Sequence, residues 1–199
     1  LRFNGTDFKR ASELDPLSQL HAVVISLNVD HSGRLWASTD DGLIVREREG
    51  WRSLSPTNVI ARSVVEDAAG QVWVGTFEGA VFQVAGGELK PASGSAAPPA
   101  PLEKSGVFLV RDRLDGSLWL ANRGFIGRWT GQAWTRLGPE LVSPPSIVAG
   151  AARGGGLWVY QSGNLRHFRT GQAVETFVVP EVDQPRELVE DGRGHIWIA

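Results

Sequence analysis

Residues 64–79 read VVEDAAGQVWVGTFEG, and this stretch decides the fold of the chain. An apolar run is followed by an acidic pair and a glycine, and then by a tryptophan on a second apolar run. Successive repeat tryptophans are 37, 46, 39 and 39 residues apart, close to the roughly 40–50-residue period of propeller blades. The spacing therefore predicts a β-propeller. The pattern of a glycine, two residues and a tryptophan recurs in five copies: Gly33-Arg-Leu-Trp36, Gly70-Gln-Val-Trp73, Gly116-Ser-Leu-Trp119, Gly155-Gly-Leu-Trp158 and Gly194-His-Ile-Trp197.

Each copy predicts four short antiparallel strands, because short apolar runs alternate with glycine- and aspartate-containing turns. No stretch keeps a helical period for three turns, so we expect an all-β fold. The units are a half blade at 1–10, blades at about 22–54, 61–90, 106–137 and 146–179, and a half blade at 186–199. This is about five blades' worth of sequence, and we expect it to be part of a larger propeller. The alternative is a five-bladed ring in which the two half blades join.

Two features of this pattern have alternative interpretations. We expect the recurring tryptophan to be buried between neighbouring blades with its N–H bonded to a carbonyl; the alternative is a platform on which sugars stack. The Pro/Ala/Ser-rich insertion at 91–104 is typical of a disordered surface loop, and the alternative is a lid over the propeller.

The composition excludes several classes of function. The net charge of −2 argues against a nucleic-acid-binding surface, and the absence of cysteine excludes disulfides and thiol chemistry. The sequence contains no run of about 18 apolar residues, so we expect no membrane contact by this segment. The four histidines lack the spacing of a metal site, so we expect neither a metal nor a cofactor.

Paired carboxylates occur only at the ends of turns, as Glu66-Asp67 and Glu190-Asp191. A glycosidase-type acid/base pair needs two carboxyl groups on facing positions about 5–10 Å apart. An aspartate repeated at a turn is more simply explained as a cap of that turn. The pattern therefore favours a structural role for these acids.

Residues 64–79 resemble the two-component regulator propeller repeat, and residues 29–43 and 188–198 fit the same pattern. The third and fourth copies depart from it: residues 113–116 lack the acidic pair and residues 152–155 have no carboxylate. The resemblance implies a noncatalytic periplasmic sensor propeller of a bacterial two-component system, which relays binding to a histidine kinase elsewhere in the parent protein. It further implies an oligosaccharide or another small polar ligand, and a homodimer formed through the parent protein.

Two other functions stay open at this point. One is an enzyme on the same scaffold, of the streptogramin-lyase or glycosidase type, and residues 122–128 faintly resemble the turn phrases of the lyases. The other is a propeller used only as a protein–protein interaction scaffold.

The candidate ligand residues lie on one predicted face, which carries the loops entering each innermost strand and the loops joining second and third strands. Arg62 and Arg186 occupy equivalent positions at the start of inner strands, where they would clamp a carboxylate or sulfate or else pair with a neighbouring glutamate. The predicted set is Asp40, Asp41, Arg62, Phe77, Glu78, Asn122, Arg123, Gln161 and Arg186.

Overall fold

The computed structural model describes residues 23–47, 50–54, 59–99, 105–138 and 147–199, and the backbone of residues 2–3 and 8–9. His21, residues 100–104 and the remainder of the predicted half blade at 1–10 lie outside the described residues. Within the described residues the all-β prediction is confirmed, and the only helical element is a short 3-10 turn at Gly94–Ala96.

Four sheets of four antiparallel strands follow one another along the chain, each in simple meander order. Blade 1 comprises β3 (Val24–Val29), β4 (Leu35–Thr39), β5 (Gly42–Glu47) and β6 (Gly50–Ser53). Blade 2 comprises β7 (Ala61–Glu66), β8 (Val72–Thr76), β9 (Val81–Ala85) and β10 (Glu88–Pro91). Blade 3 comprises β11 (Phe108–Arg111), β12 (Leu118–Asn122), β13 (Phe125–Trp129) and β14 (Trp134–Arg136). Blade 4 comprises β15 (Val148–Ala151), β16 (Leu157–Gln161), β17 (Asn164–Phe168) and β18 (Glu175–Val178).

A two-stranded ribbon stands at each end of this series. The first pairs β1 (Arg2–Phe3) with β2 (Phe8–Lys9), and the last pairs β19 (Leu188–Glu190) with β20 (Ile196–Ile198). The two ribbons are separate sheets, so the described strands do not form the joined fifth blade of the closed-ring alternative.

The inner strands β3, β7, β11, β15 and β19 are neighbours in that order, which stacks the blades side by side. We call the side on which the chain enters each inner strand the top face; it also carries the turns between second and third strands. The opposite side, with the turns between first and second strands, is the bottom face.

Three of the five repeat tryptophans are buried between blades, as the sequence predicts. Trp36, Trp73 and Trp119 are each at most 1% exposed, and each belongs to a core cluster that includes residues of the following blade. The alternative of a sugar-stacking platform is wrong for these three rings. Trp197, on the last ribbon, is 63% exposed.

The indole N–H of these tryptophans does not bond to a carbonyl, and this part of the prediction is wrong. In blades 1 to 3 and the last ribbon it donates to the aspartate that opens its own bottom-face turn, at 2.8–3.0 Å. The other carboxylate oxygen of each aspartate caps backbone N–H groups of the same turn, and the turn glycine has φ between +72° and +86°. Because one carboxylate ties the turn to the ring, we call this unit the Asp–Trp clasp; its pairs are Asp30–Trp36, Asp67–Trp73, Asp112–Trp119 and Asp191–Trp197.

The glutamate before the clasp aspartate contacts the preceding blade. Glu66 accepts a hydrogen bond from the His31 backbone N–H at 2.7 Å and also pairs with its ring Nδ1. Blade 4 lacks a clasp aspartate, and Glu190 of the last ribbon accepts the Trp158 indole N–H at 2.7 Å in its place. The acidic pair of the repeat therefore stabilises one turn and one blade interface at once.

The described part of the Pro/Ala/Ser-rich insertion packs against blade 3. Ala92 and Ala96 contact the cluster around Trp73, and the Trp134 indole donates to the Ala96 carbonyl at 2.9 Å. Residues 91–99 thus differ from the disordered loop that their composition predicts, because tryptophans from two blades provide an apolar surface for the alanines. Nothing helical among the described residues has the length and apolar character needed to cross a bilayer.

Candidate functional site

The loops of the top face are bonded to one another, as their predicted positions require. The Val23 backbone N–H donates to Asp40 Oδ1 at 2.7 Å, and the Phe77 N–H donates to the Ile60 carbonyl at 3.2 Å. In blade 3 the Arg123 N–H donates to the Ser105 hydroxyl at 3.2 Å. Side chains from the two sets of loops therefore share one surface.

A cavity of about 410 Å³ opens on this face where blades 2, 3 and 4 meet the chain that leads into β19. Among the described residues, three arginines and no acidic side chain contribute to its wall. We call it the arginine pocket; it is lined by Arg62, Ser105, Gly106, Phe108, Arg123, Ile147, Gln184, Pro185 and Arg186.

Arg62 is the most tightly placed of the three arginines. The register of β7 against β8 shifts between Ala61 and Ser63, so Arg62 lies at a β-bulge, a feature that redirects a side chain out of the regular alternation. Its guanidinium carbon is 3.9 Å from the centroid of the Phe108 ring and 4.7 Å from that of Phe77. The cation is held between two aromatic rings.

The electrostatic environment of Arg62 is unusual for an arginine. Burial lowers the pKa of its guanidinium, and the nearby Glu187 carboxylate acts in the opposite direction. Burial also raises the pKa of Glu187, partly offset by Arg62. Arg62 Nε is buried and has no hydrogen-bond partner among the described residues. A buried donor without a partner is energetically costly, and Arg62 shares this feature with Trp51, Asn122 and Arg169.

A wider cavity of about 830 Å³ continues from the arginine pocket along the inner strands. Arg62, Phe108 and Arg186 line both spaces, and Phe77 and Glu187 line only the wider one. The pocket is thus the top-face mouth of the central space of the propeller.

Backbone strain also concentrates on the top face. Gln184 and Ser162 have φ of +47°, and they are the non-glycine residues with positive φ in the described part of the chain. Gln184 lines the arginine pocket, and Ser162 lies in the β16–β17 turn. Such strain persists where the surrounding structure imposes it, and it is enriched at ligand sites.

The structure brings four of the nine predicted ligand residues together. Arg62, Arg123 and Arg186 line the pocket, and Phe77 stacks on Arg62 beside it. The remaining predicted residues do not line the pocket, although they lie in the second-to-third-strand turns of the same face. Asp40, Asp41 and Glu78 are exposed, whereas Asn122 and Gln161 are buried at strand ends. A ligand-binding role for all nine stays a prediction.

Sequence reasoning missed Ser105, Gly106, Phe108, Gln184 and Glu187. Phe108 lies on the inner strand β11, and Glu187 directly follows the predicted Arg186. Ser105 and Gly106 follow the Pro/Ala/Ser-rich insertion, which is the signal that would have pointed to them. The contact between these segments depends on how blades 2 and 3 pack, which no local pattern encodes.

The acids and histidines of the described chain are used elsewhere. Glu66 and Glu190 are bonded at the bottom face, so they do not form a facing acid/base pair. His31 and His195 lie in bottom-face turns and pair with Glu66 and Asp191, while His167 bonds to Glu175 and to the Gly155 carbonyl. Within the described residues, no group of three or more histidine or acidic side chains is arranged to hold a metal ion.

The family model of the two-component regulator propeller matches residues 53–78, which confirms the resemblance drawn from the sequence. No curated protein matches the chain in sequence.

Solved structures with a similar fold include a lyase and two sensor domains. A catalytically inactive histidine-to-alanine variant of virginiamycin B lyase from Staphylococcus aureus, with quinupristin, has a TM-score of 0.68 and 16% identity over 88% of this chain and 62% of the lyase. The extracellular domains of two putative hybrid two-component systems from Bacteroides thetaiotaomicron have TM-scores of 0.57 and 0.52 and identities of 17% and 13%. Each match covers 89% of this chain, but only 26% and 36% of those domains. At such identities the likeness shows the propeller fold alone.

Proposed function

We propose that this chain, which carries the two-component regulator propeller repeat, is a noncatalytic ligand-sensing propeller of a bacterial two-component sensor. In this proposal the propeller lies in the periplasm and binds an oligosaccharide or another small polar ligand in the arginine pocket. Binding is relayed to a histidine kinase elsewhere in the full-length protein, which acts as a homodimer.

The observation that carries the proposal is the arginine pocket itself. Its volume of about 410 Å³ falls in the usual range of small-molecule sites, roughly 300–1,000 Å³. It combines an aromatic wall, charged groups and a buried donor that lacks a partner.

The position of the pocket suits a relay of binding into blade packing. Arg62 belongs to blade 2, Phe108 to blade 3 and Arg186 to the segment before β19, while Ile147 leads into blade 4. A ligand that contacts all of them stabilises one spacing of the inner strands over others. A shift of this equilibrium requires only that the ligand bind the two arrangements with different affinity.

The noncatalytic part of the proposal is supported by where the reactive groups lie. The described histidines are bonded at or near the bottom-face turns, and neither Glu66 nor Glu190 reaches the pocket. The lyase relative is inactive when one histidine is replaced, but at 16% identity it supports the scaffold and not its chemistry. A lyase or glycosidase activity has no candidate residue set in the described part of the chain.

Thermal unfolding of the purified chain with a panel of neutral and acidic oligosaccharides tests the proposal. We expect at least one class to raise the melting temperature in proportion to ligand concentration, because a ligand that binds only the folded state stabilises it. The same compound is expected to change autophosphorylation of the full-length protein. Chemical turnover of a bound compound would overturn the noncatalytic proposal. A stable protein partner combined with no response to any compound would favour the interaction scaffold.

A further inference from the structure

We propose that β18, the outer strand of blade 4, pairs edge to edge with β18 of a second copy of this chain. The proposal concerns the outer wall of the propeller, and it depends neither on the arginine pocket nor on any ligand. It is carried by the open edge of β18, by the contrast with the outer edges of the other blades, and by the register in which two copies fit together.

β18 is the most exposed of the four outer strands. All four residues of Glu175–Val178 are exposed, and Phe177 and Val178 are 47% and 89% exposed. The outer strands β6, β10 and β14 each include at least one residue that is half-buried. An edge strand presents a row of unpaired N–H and C=O groups, and proteins block such edges with charged side chains, prolines or a covering segment. Exposed apolar side chains on an open edge are the opposite of such protection.

The outer strands of the other three blades are each blocked in one of these ways. In β6, Arg52 reaches the next blade and donates to one of its backbone carbonyls at 2.8 Å. β10 contains Lys90 and ends at Pro91, which has no N–H to donate. In β14, the Trp134 indole bonds to the Ala96 carbonyl of the Pro/Ala/Ser-rich insertion. Among the described residues, β18 has no lysine, no proline and no hydrogen bond to another blade.

The free backbone groups of this edge belong to alternate residues of β18. The Val179 N–H donates to a carbonyl of the β16–β17 turn at 2.8 Å, so every second residue back from Val179 bonds inward to β17. Bonded and non-bonded residues alternate along an antiparallel strand. The N–H and C=O groups of Thr176 and Val178 therefore point outward, and Val174 continues the same row.

One antiparallel register of two copies uses all of these outward groups. It places Thr176 opposite Thr176 of the second copy, on the two-fold axis, and Val174 opposite Val178. A shift of the register in one direction would set Glu175 opposite Glu175, and like charges directly opposite each other are destabilising. A shift in the other direction would set Pro180 opposite Val174, where the missing N–H removes a hydrogen bond. The residues that flank the strand thus select the register centred on Thr176.

The side chains fit in this register. Phe177 lies opposite Glu175, whose carboxylate already pairs with Arg169 and His167 of its own blade. The threonine pair on the axis and the valine pairs beside it are favourable cross-strand neighbours. One pair of strands buries less than the roughly 1,200–2,000 Å² of a standard interface, so we expect a weak dimer with a Kd of about 10–500 µM.

Sedimentation velocity of the purified chain over about 5–500 µM tests the proposal. We expect a dimer fraction that rises with concentration. Val178→Lys places a charge on the edge and should weaken the dimer at least about tenfold. Thr135→Lys adds the same charge at an exposed position of β14, and this matched control should leave dimerisation unchanged. Both substitutions replace exposed side chains, so unfolding curves of the two variants should match that of the parent chain.

Single cysteines report the register, since the chain has no cysteine of its own. In Thr176→Cys the two thiols meet on the axis, where paired Cα atoms are about 5.5 Å apart, within the range of a disulfide. Under mild oxidation we expect this variant to form disulfide dimers at least about tenfold faster than the β14 control Thr135→Cys. Phe177→Cys and Glu175→Cys report the two shifted registers, and both should cross-link more slowly than Thr176→Cys.

Three outcomes would overturn the proposal. A chain that stays monomeric over the whole concentration range does so, and it would favour a strand of a different protein as the partner of β18. A dimer that Val178→Lys leaves intact also does so, because such a dimer uses another surface. Faster cross-linking of Phe177→Cys or Glu175→Cys than of Thr176→Cys would overturn the register centred on Thr176.

Discussion

The bottom and top faces of this propeller are built in different ways from the same repeat. On the bottom face, four of five turns reuse the Asp–Trp clasp with nearly identical distances. On the top face, the turns between second and third strands carry different residues in each blade, and three arginines line one pocket there. Repetition therefore marks the face whose turns are tied to the blade interfaces, and the face without it carries the arginine pocket.

The Asp–Trp clasp occurs both between blades and on the exposed last ribbon. Hydrogen bonds from Trp36 and Arg34 outweigh the effect of burial and hold the pKa of Asp30 below its ordinary value. The pKa of Asp191 is also lowered, mainly by the hydrogen bond from the exposed Trp197. The clasp is thus the same chemical unit in two environments, which allows its contribution to be compared directly.

The largest effect is expected from breaking a buried clasp. Asp112→Ala removes the acceptor of the Trp119 indole and of the Gly156 N–H of blade 4, and both donors are left buried. We expect a loss of about 2–4 kcal/mol in the free energy of unfolding, measured by urea denaturation. Asp191→Ala, whose tryptophan is 63% exposed, is the matched control and should cost clearly less. Equal losses in both variants would show that burial between blades does not strengthen the clasp.

A smaller effect is expected from the glutamate that links blades. Glu190→Gln keeps an acceptor for the Trp158 indole but removes the charge, so we expect a loss of roughly 1 kcal/mol in the free energy of unfolding. The exposed Glu88→Gln variant is the control and should leave stability unchanged. Loss of an enzymatic turnover in Glu190→Gln, with stability intact, would restore the glycosidase alternative.

On the top face, one substitution is expected to stabilise the protein, in contrast to the substitutions on the bottom face. Asn122 is fully buried, and neither of its amide atoms has a partner among the described residues, whereas Thr39 and Thr76 at the equivalent strand ends bond to their own turns. Asn122→Thr restores the residue of those blades and should raise the free energy of unfolding by about 0.5–1.5 kcal/mol. Thr76→Asn is the reciprocal variant and should lower it. A destabilised Asn122→Thr would indicate that Asn122 has a structural role that its contacts do not show.

The smallest expected effect concerns the acid that faces Arg62. Glu187→Gln removes the carboxylate that acts on the buried Arg62 guanidinium, so we expect a loss of about 0.5 kcal/mol in the free energy of unfolding, measured by urea denaturation. Glu181→Gln, an exposed position away from the pocket lining, is the control. Unchanged or higher stability of Glu187→Gln would show that its carboxylate does not stabilise the Arg62 guanidinium.

The sequence predicts some residues of the candidate site but not all of them. Arg62, Arg123 and Arg186 were found from the sequence because the repeat identifies which loops share a face. Phe108 and Gly106 were not, since their importance depends on a β-bulge that redirects Arg62 and on the packing of blade 3 beside blade 2. The repeat pattern assigns positions within a blade and contains no information about contacts between loops of different blades.

The sequence by itself determined the propeller fold, the repeat family and the structural use of the turn acids. These are local properties: a 37–46-residue period, turn glycines and an apolar strand with tryptophan recur in each copy and need no distant partner. Only the tertiary structure decided that the tryptophan N–H bonds to aspartate, that Glu66 and Glu190 join neighbouring blades, and that three arginines meet at one pocket. The tryptophan–aspartate bonds span only six or seven positions and depend on how each turn orients its aspartate. The contacts of Glu66, Glu190 and the arginines join residues 32 or more positions apart, and only the stacking of blades brings them together.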